Sequence, residues 1–457
     1  MDRNLLNIIF LGFGFMFLFT AFQTMGNIEQ TVIDSIKTDD PTFTGDGYTS
    51  LSIIYAVLSI CNWLVPSIIT KTGPRGAMVI GGTTYCLFMV SFLWPQGWLL
   101  YVCSAILGAG AALIWIGQGA YIARCSNPET ISRNTGVCWA IFQLSMFFGN
   151  LFVFFQFQGL KHIDQSTRTI VFSVLIGVAI VGLVILALLR YVPPVKDEAD
   201  LQNDSQDSSD SSSSSEEENP IKAFKNAVRL FFTKDFLLLS IAFVYTGFEL
   251  SFYSGVYSTS IGFTDKLGVN AKQLVGLSGI FIGVGEVLGG VLFGILGSKT
   301  IRYGRDPIVI SGFVIHLISF FLIYMNLPNG APLGNTSDLS VFDPPMAWLA
   351  ILCSFLLGFG DACFNTQIYS MLAGSFAKNS VAAFSIFKFT QSVAAAIGFV
   401  YSSQTGLRYQ IGILVVFSII GTFCFCLVEW AIKRKNNLNT IETASETEDY
   451  KDKDMIE

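Results

Sequence analysis

Four ionisable residues lie deep inside apolar stretches of this chain: Glu249, Glu286, Asp361 and Lys388. Asp361 belongs to "LLGFGDACFNTQ" (Leu356–Gln367), with the amides Asn365 and Gln367 one and two helical turns on. Charged groups in such surroundings are costly, so they face an interior and find partners. Their chemistry is proton exchange, ion pairing or contact with a polar solute. Asp361 lies about ten residues before the end of its apolar stretch and Lys388 about seven after the start of the next. At ~1.5 Å per residue, two antiparallel helices place both roughly 10–15 Å from one membrane edge. An Asp361–Lys388 ion pair is therefore expected, either pinning two helices or acting as a proton- or solute-linked switch. Glu286, in "GVGEVLGG", reads as a protonation site or as a neutral acid bonded to a neighbouring helix. Glu249 and Gln23 are expected to face each other across a cavity, and His316 reads as a helix-to-helix hydrogen bond.

The elements that must position these groups follow from composition. Of 457 residues, 52% are hydrophobic and only 13% charged, about half the charge of a soluble domain. A bilayer core of ~30 Å takes ~20 apolar residues per helix. Twelve stretches fit: Leu5–Thr24, Tyr48–Ile69, Gly76–Trp94, Trp98–Ile122, Asn134–Phe157, Thr169–Tyr191, Phe236–Phe263, Leu274–Gly297, Pro307–Met325, Met346–Leu372, Val381–Ser402 and Tyr409–Ile432. The expected fold class is an all-α polytopic membrane protein. With the N-terminus inside, 20 of the 27 Lys and Arg fall in inner segments, 6 in outer ones and Lys388 within a span. That bias puts both termini in the cytoplasm. The first span is longer than a signal-peptide core and has no small-residue cleavage site, so it is expected to persist as a helix.

Residues 196–219 read "KDEADLQNDSQDSSDSSSSSEEEN". A segment this polar and acidic cannot bury a core and is expected to be disordered. Ser213, Ser214 and Ser215 each have Glu three residues on, the pattern of an acidic-directed kinase site. The organisation is then a six-helix bundle over 1–192, a cytoplasmic linker over 193–235, a second bundle over 236–432 and a tail over 433–457. The bundles repeat one another. Phe19-Thr20-Ala21-Phe22-Gln23 corresponds to Tyr245-Thr246-Gly247-Phe248-Glu249, Leu51-Ser52 to Leu277-Ser278, "LGAGAA" (Leu107–Ala112) to "LGFGDA" (Leu357–Ala362), and "IFQ" (Ile141–Gln143) to "IFK" (Ile386–Lys388). Two parallel six-helix repeats are the organisation of the major facilitator superfamily. In that fold the first, fourth, seventh and tenth helices line a central cavity with the second, fifth, eighth and eleventh beside them, and the deep ionisable residues concentrate in these two sets.

No P-loop, zinc-ligand spacing or nucleophile elbow is present, so neither an enzyme nor a cofactor is expected, and nothing suggests nucleic acid. The nine cysteines lie in or beside spans and read as packing residues. Asn335-Thr336-Ser337, in an outer segment without Lys or Arg, is a glycosylation sequon.

"AFQTMGNIEQTV" (Ala21–Val32), "TGFELSFYSGVYSTSIG" (Thr246–Gly262), "LSGIFIGVGEVLGG" (Leu277–Gly290), "LLGFGDACFNTQ" and "FSIFKFTQS" (Phe384–Ser392) closely resemble the UNC-93-like proteins across both halves. The resemblance implies the twelve-helix transporter fold. For function, the cavity charges favour a facilitative or proton-coupled transporter of a small solute, while the resemblance favours the alternative. The alternative is a non-transporting partner of another membrane protein, since better-understood members look like a potassium-channel subunit and a trafficking chaperone of immune receptors. One departure stands out. Transporters of the superfamily carry an Asp-Arg pair in the loop between the second and third helices, and here "PSIITKTGPRG" (Pro66–Gly76) has Thr70 and Lys71 in its place.

Overall fold

The computed structural model describes residues 3–126, 130–193, 220–300, 304–376 and 380–454. Twelve long helices follow the twelve apolar stretches: α1 (Arg3–Asp39), α2 (Gly47–Cys61), α3 (Val65–Ser91), α4 (Gly97–Arg124), α5 (Ile131–Gln156), α6 (Gln165–Ala187), α7 (Lys234–Gly262), α8 (Ala271–Thr300), α9 (Asp306–Asn326), α10 (Ala347–Ser375), α11 (Ser380–Ser402) and α12 (Leu407–Asp454). Ten are long and apolar enough among their described residues to cross a membrane. The exceptions are α2, which is short, and α3, which carries Gly73 at φ 70°. That conformation suits glycine. It lets the chain turn at the end of the second span, run on through Pro74 and rise as the third. Helices satisfy their own backbone groups, which is what a bilayer requires of a spanning segment.

The helix α2 ends at Cys61, short of the expected Ile69, and α3 begins at Val65, before the expected Gly76; three further boundaries differ from expectation. The helix α1 continues fifteen residues past the expected end at Thr24, to Asp39, because Ile28, Val32, Ile33 and Ile36 keep an apolar face buried through the polar "NIEQTVIDSI". Inside the expected linker, Pro220–Phe231 is a short helix. The helix α12 runs past the expected end at Ile432 to Asp454. The serines 213–215 and the acidic run around them lie outside the described residues.

Helix contacts repeat from one half to the other. The pairs α1–α5, α1–α6, α2–α4, α3–α4 and α3–α6 in the first half recur as α7–α11, α7–α12, α8–α10, α9–α10 and α9–α12 in the second. The halves meet symmetrically, α5 on α8 and α2 on α11. Small residues permit the close crossings that membrane helices use in place of a hydrophobic driving force. At α8–α10, a Cβ on Gly358 would lie 2.1 Å from the Ile282 carbonyl oxygen, and one on Gly285 would lie 2.3 Å from that of Phe355. This crossing brings Glu286 and Asp361 onto neighbouring backbones.

Away from the termini, Tyr48 donates to the Pro332 carbonyl at 3.1 Å and Asn335 to Asp34 at 2.6 Å, joining the halves. Asp164 caps α6 by accepting from the Thr167 amide at 3.2 Å, and the hydrogen bonds from Thr167 and Ser166 hold its carboxyl down to about 2.

Candidate functional site

Tyr245, Glu249 and Tyr253 follow one another at intervals of four on α7 and so share a face. Just beyond Glu249 the helix widens into a π-helical turn, Phe252–Val256, a feature frequent at functional sites. Glu249 is 0% exposed, and neither of its carboxyl oxygens accepts a hydrogen bond. His316 of α9 approaches from one side, its Nε2 3.3 Å from Glu249 Oε1. Asp361 of α10, 7% exposed, shares the same pocket, within hydrogen-bond reach of the Glu249 carboxyl.

The imidazole tautomer is fixed by its neighbours. His316 Nε2 lies 3.1 Å from the Leu357 carbonyl oxygen, which can only accept, so Nε2 carries the hydrogen. Nδ1 then accepts from the Tyr245 hydroxyl at 2.5 Å. Phe364 stacks on the imidazole, with centroids 5.7 Å apart and planes 7° from parallel. Histidine is thus neutral and committed to other partners. Glu249 sits beside it without a donor, and an ionised carboxylate there would have nothing to replace its water.

Asp361 has one local partner, Asn365, whose Nδ2 donates to Oδ1 at 2.7 Å one turn along α10. Glu286, half-buried on α8, accepts from Gln143 of α5 at 3.0 Å, a contact that spans the two halves. Tyr253 also reaches Glu286. The site therefore holds three carboxyls, from α7, α8 and α10, with one neutral histidine.

Lys388 is not paired with Asp361. Its ammonium donates to Gln391 Oε1 at 3.0 Å and lies over the rings of Phe387, at 4.9 Å, and Tyr369, at 5.3 Å. The two residues share a depth, as the spacing requires, but on α11 a lysine one turn from Gln391 has a nearer acceptor. Through Gln391, which donates to Thr246 at 3.3 Å, it ties α11 to α7 instead of α10. Lys388 still acts on Asp361 through its charge, and it is exposed where Asp361 is buried. Gln23 does not meet Glu249 either. It accepts from Ser145 within its own half. Gln367 is buried and bonded to Thr366 at 3.1 Å, outside the cluster.

Asn335 is exposed, with Nδ2 on Asp34 and Oδ1 accepting from Lys272 at 2.8 Å. Among the described residues no group of His, Cys, Asp and Glu is placed to hold a metal ion.

Tyr245 and Glu29 escaped the sequence reading. Tyr245 was visible as the aromatic opening the repeated "YTGFE" but carries no charge to mark it. Glu29 is 0% exposed and neither oxygen accepts a hydrogen bond. It was missed because the first span was expected to end at Thr24, and the continuing apolar spacing through Ile36 was the available signal.

The family described as "Ion channel regulatory protein UNC-93" matches residues 41–426. The chain is 44% identical to the UNC93-like protein MFSD11 of Xenopus laevis, covering 96% of this chain and 99% of the relative. It is 24% identical to human protein unc-93 homolog A, covering 95% of each. In fold it is similar to the nucleoside transporter NupG, with a TM-score of 0.64 at 14% identity over 93% and 99% of the two chains. A crystal structure of the peptide transporter POT gives 0.63 at 14% identity over 94% and 95%.

Proposed function

The chain belongs to the UNC-93 family, and from that premise we propose that this multi-pass membrane protein is a proton-coupled solute transporter. The observation that carries the reading is Glu249: a wholly buried carboxyl that accepts from no donor, lies within hydrogen-bond reach of the Asp361 carboxyl and stands one helix from Glu286. Carboxyl clusters inside membrane bundles mark ion and proton pathways. Here a proton on Glu249 is shared with Asp361, and Glu286 and its cross-half partner Gln143 report the separation of the halves. Loss of the Gln143–Glu286 bond as the halves move would change which acid holds the proton, which couples protonation to access. Gln23, Asn365 and exposed Lys388 border the cluster and are the side chains a polar solute would meet.

Orientation belongs to the same reading: both termini cytoplasmic, Asn335 in an outer segment and open to glycosylation, and Ser213–Ser215 within reach of cytoplasmic kinases. The test is uptake into proteoliposomes from a mixed metabolite pool, with and without an inward pH gradient. Gradient-dependent accumulation by the wild type and its loss in Glu249→Gln support the proposal. Accumulation that ignores the gradient contradicts proton coupling.

A second reading is favoured by Thr70 and Lys71, which stand where the superfamily's transporters have Asp-Arg. In it the fold serves as a regulatory or trafficking partner of another membrane protein. Absence of any accumulation, with a membrane protein co-purifying whose surface abundance or conductance falls on deletion of this chain, would favour it.

A further inference from the structure

The end of the bundle that carries the chain's N-terminus has a cleft of about 600 Å³ in the first half, outside the carboxyl cluster. Gly73 and Arg75 of α3, Tyr121 and Arg124 of α4, and Ala187 and Tyr191 at the end of α6 line it. Arg75 donates to the Ala187 carbonyl and Arg124 to that of Val192 at 3.3 Å. Tyr121 donates to the Arg190 carbonyl at 2.8 Å and feels the charges of both Arg75 and Arg190. Two guanidiniums, of Arg75 and Arg124, thus line one opening, with Arg190 near Tyr121 and Lys71 exposed nearby. Among the described residues no Asp or Glu lines the cleft and none of the three arginines is ion-paired.

The corresponding place in the second half shows that this is not how the fold must treat its arginines. Gly304 repeats the positive φ of Gly73, at 90°. The neighbouring Arg305 pairs with Glu429 at 3.0 Å, and Asp306 pairs with Lys433 and accepts from Trp430 at 3.1 Å. There the charge is balanced within the chain. In the first half it is left unbalanced around a cavity, with guanidiniums held by backbone carbonyls that fix their direction and leave donors over.

The rim is apolar. Ile80 lines the cleft and is 46% exposed, and Leu188 and Tyr191 beside it are 74% and 71% exposed. Aromatic residues of this kind sit at the headgroup level of a bilayer, and basic pockets between membrane helices bind anionic headgroups.

We propose that this cleft is a binding site for the phosphate of an anionic phospholipid, with the arginines on the headgroup and the acyl chains along Ile80 and Leu188. Planar guanidiniums take phosphate oxygens two at a time. The site is independent of the transport reading, since none of its residues touches the carboxyl cluster.

The test uses the purified full chain in detergent, with bound lipid counted by native mass spectrometry as phosphatidylglycerol, phosphatidylcholine or inorganic phosphate is added. The wild type is expected to bind phosphatidylglycerol saturably and at least about tenfold more tightly than phosphatidylcholine. Arg75→Gln with Arg124→Gln should erase that preference, while Lys435→Gln, which removes an exposed charge elsewhere, should keep it. If the double variant fails to fold, Arg75→Lys supplies the reading: it keeps the charge and loses the fork, so the preference should fall but not vanish. Inorganic phosphate competing as well as the lipid would overturn the lipid assignment in favour of a soluble phosphate. Equal binding of the two lipids, or a preference unchanged in the double variant, would overturn the site. So would a preference that emerges only on deletion of residues 202–218, because the chain's own acids would then be the occupant.

Discussion

Phe19 and Tyr245 occupy corresponding places in the two halves, and their surroundings differ in kind. Around Phe19 the first half assembles an aromatic cage: Tyr85 at 5.2 Å from α3, Trp115 at 5.0 Å from α4 and Phe142 at 5.2 Å from α5. Around Tyr245 the second half places His316 from α9, with Glu249 and Asp361 beside it. The repeat positions make the exchange explicit: Gln23 against Glu249, Ala111 against Asp361, Gln143 against Lys388. At these positions one backbone plan thus carries an aromatic cage in one half and a titratable cluster in the other. At the N-terminal end the polarity reverses. The second half pairs Arg305 and Asp306 internally, and the first leaves Arg75 and Arg124 to a cleft. The repeat shares one scaffold, and the two copies place their buried carboxyls and their arginines differently.

The comparison can be broken first in the cage. Phe19→Ala removes a ring packed against five others and should cost about 3–5 kcal/mol. Thermal denaturation in detergent should show the loss unchanged across pH, because no titratable group is disturbed. On the other side, His316→Phe leaves the Tyr245 hydroxyl without its acceptor and the Leu357 carbonyl without its donor, for about 1–3 kcal/mol. Adding Tyr245→Phe, which remakes the first half's chemistry, should recover part of that loss. If the double variant were no more stable than His316→Phe, the hydrogen-bonded pair would not be the unit described.

A smaller effect sharpens the picture of Lys388. Replacing it by Gln, the residue its repeat-mate carries, should cost about 1 kcal/mol or less, since it forfeits one hydrogen bond and an exposed ring contact. A loss of about 3–5 kcal/mol would instead mean that a buried ion pair had been broken. The smallest effect lies outside the membrane. Asp164→Asn should lower the melting temperature slightly. The folded carboxyl is held down to about 2, so its contribution is fully present above the ordinary carboxylate range and is lost as pH falls through about 2. The difference from wild type should be flat at neutral pH and shrink only in strong acid.

Much of the fold was legible because membrane helices announce themselves by length and apolarity, and because the duplication left matching words such as "LGAGAA" and "LGFGDA". The depth of Glu249, Glu286 and Asp361 was legible for the same reason. Partnership was not. Spacing along α10 and α11 gives a depth to Asp361 and Lys388 but not a direction around each helix, and local partners one turn away took each side chain, Asn365 as donor to Asp361 and Gln391 as acceptor from Lys388. The reach of α1 was obscured by the polar letters of "NIEQTVIDSI", whose buried face depends on α2 and α5 packing against it. The basic cleft gathers residues from three separate helix ends and has no signature in any one of them.

The central claim is that Glu249 and Asp361 share an exchangeable proton inside the second half. Infrared difference spectroscopy of the protein in nanodiscs, titrated between about pH 5 and pH 8, reads buried carboxylic acids directly and needs no solute. The account predicts a pH-responsive carboxylic-acid band that disappears in Glu249→Gln and shifts in Asp361→Asn, while Phe19→Ala leaves it in place. A band unaffected by either acid's replacement would contradict it.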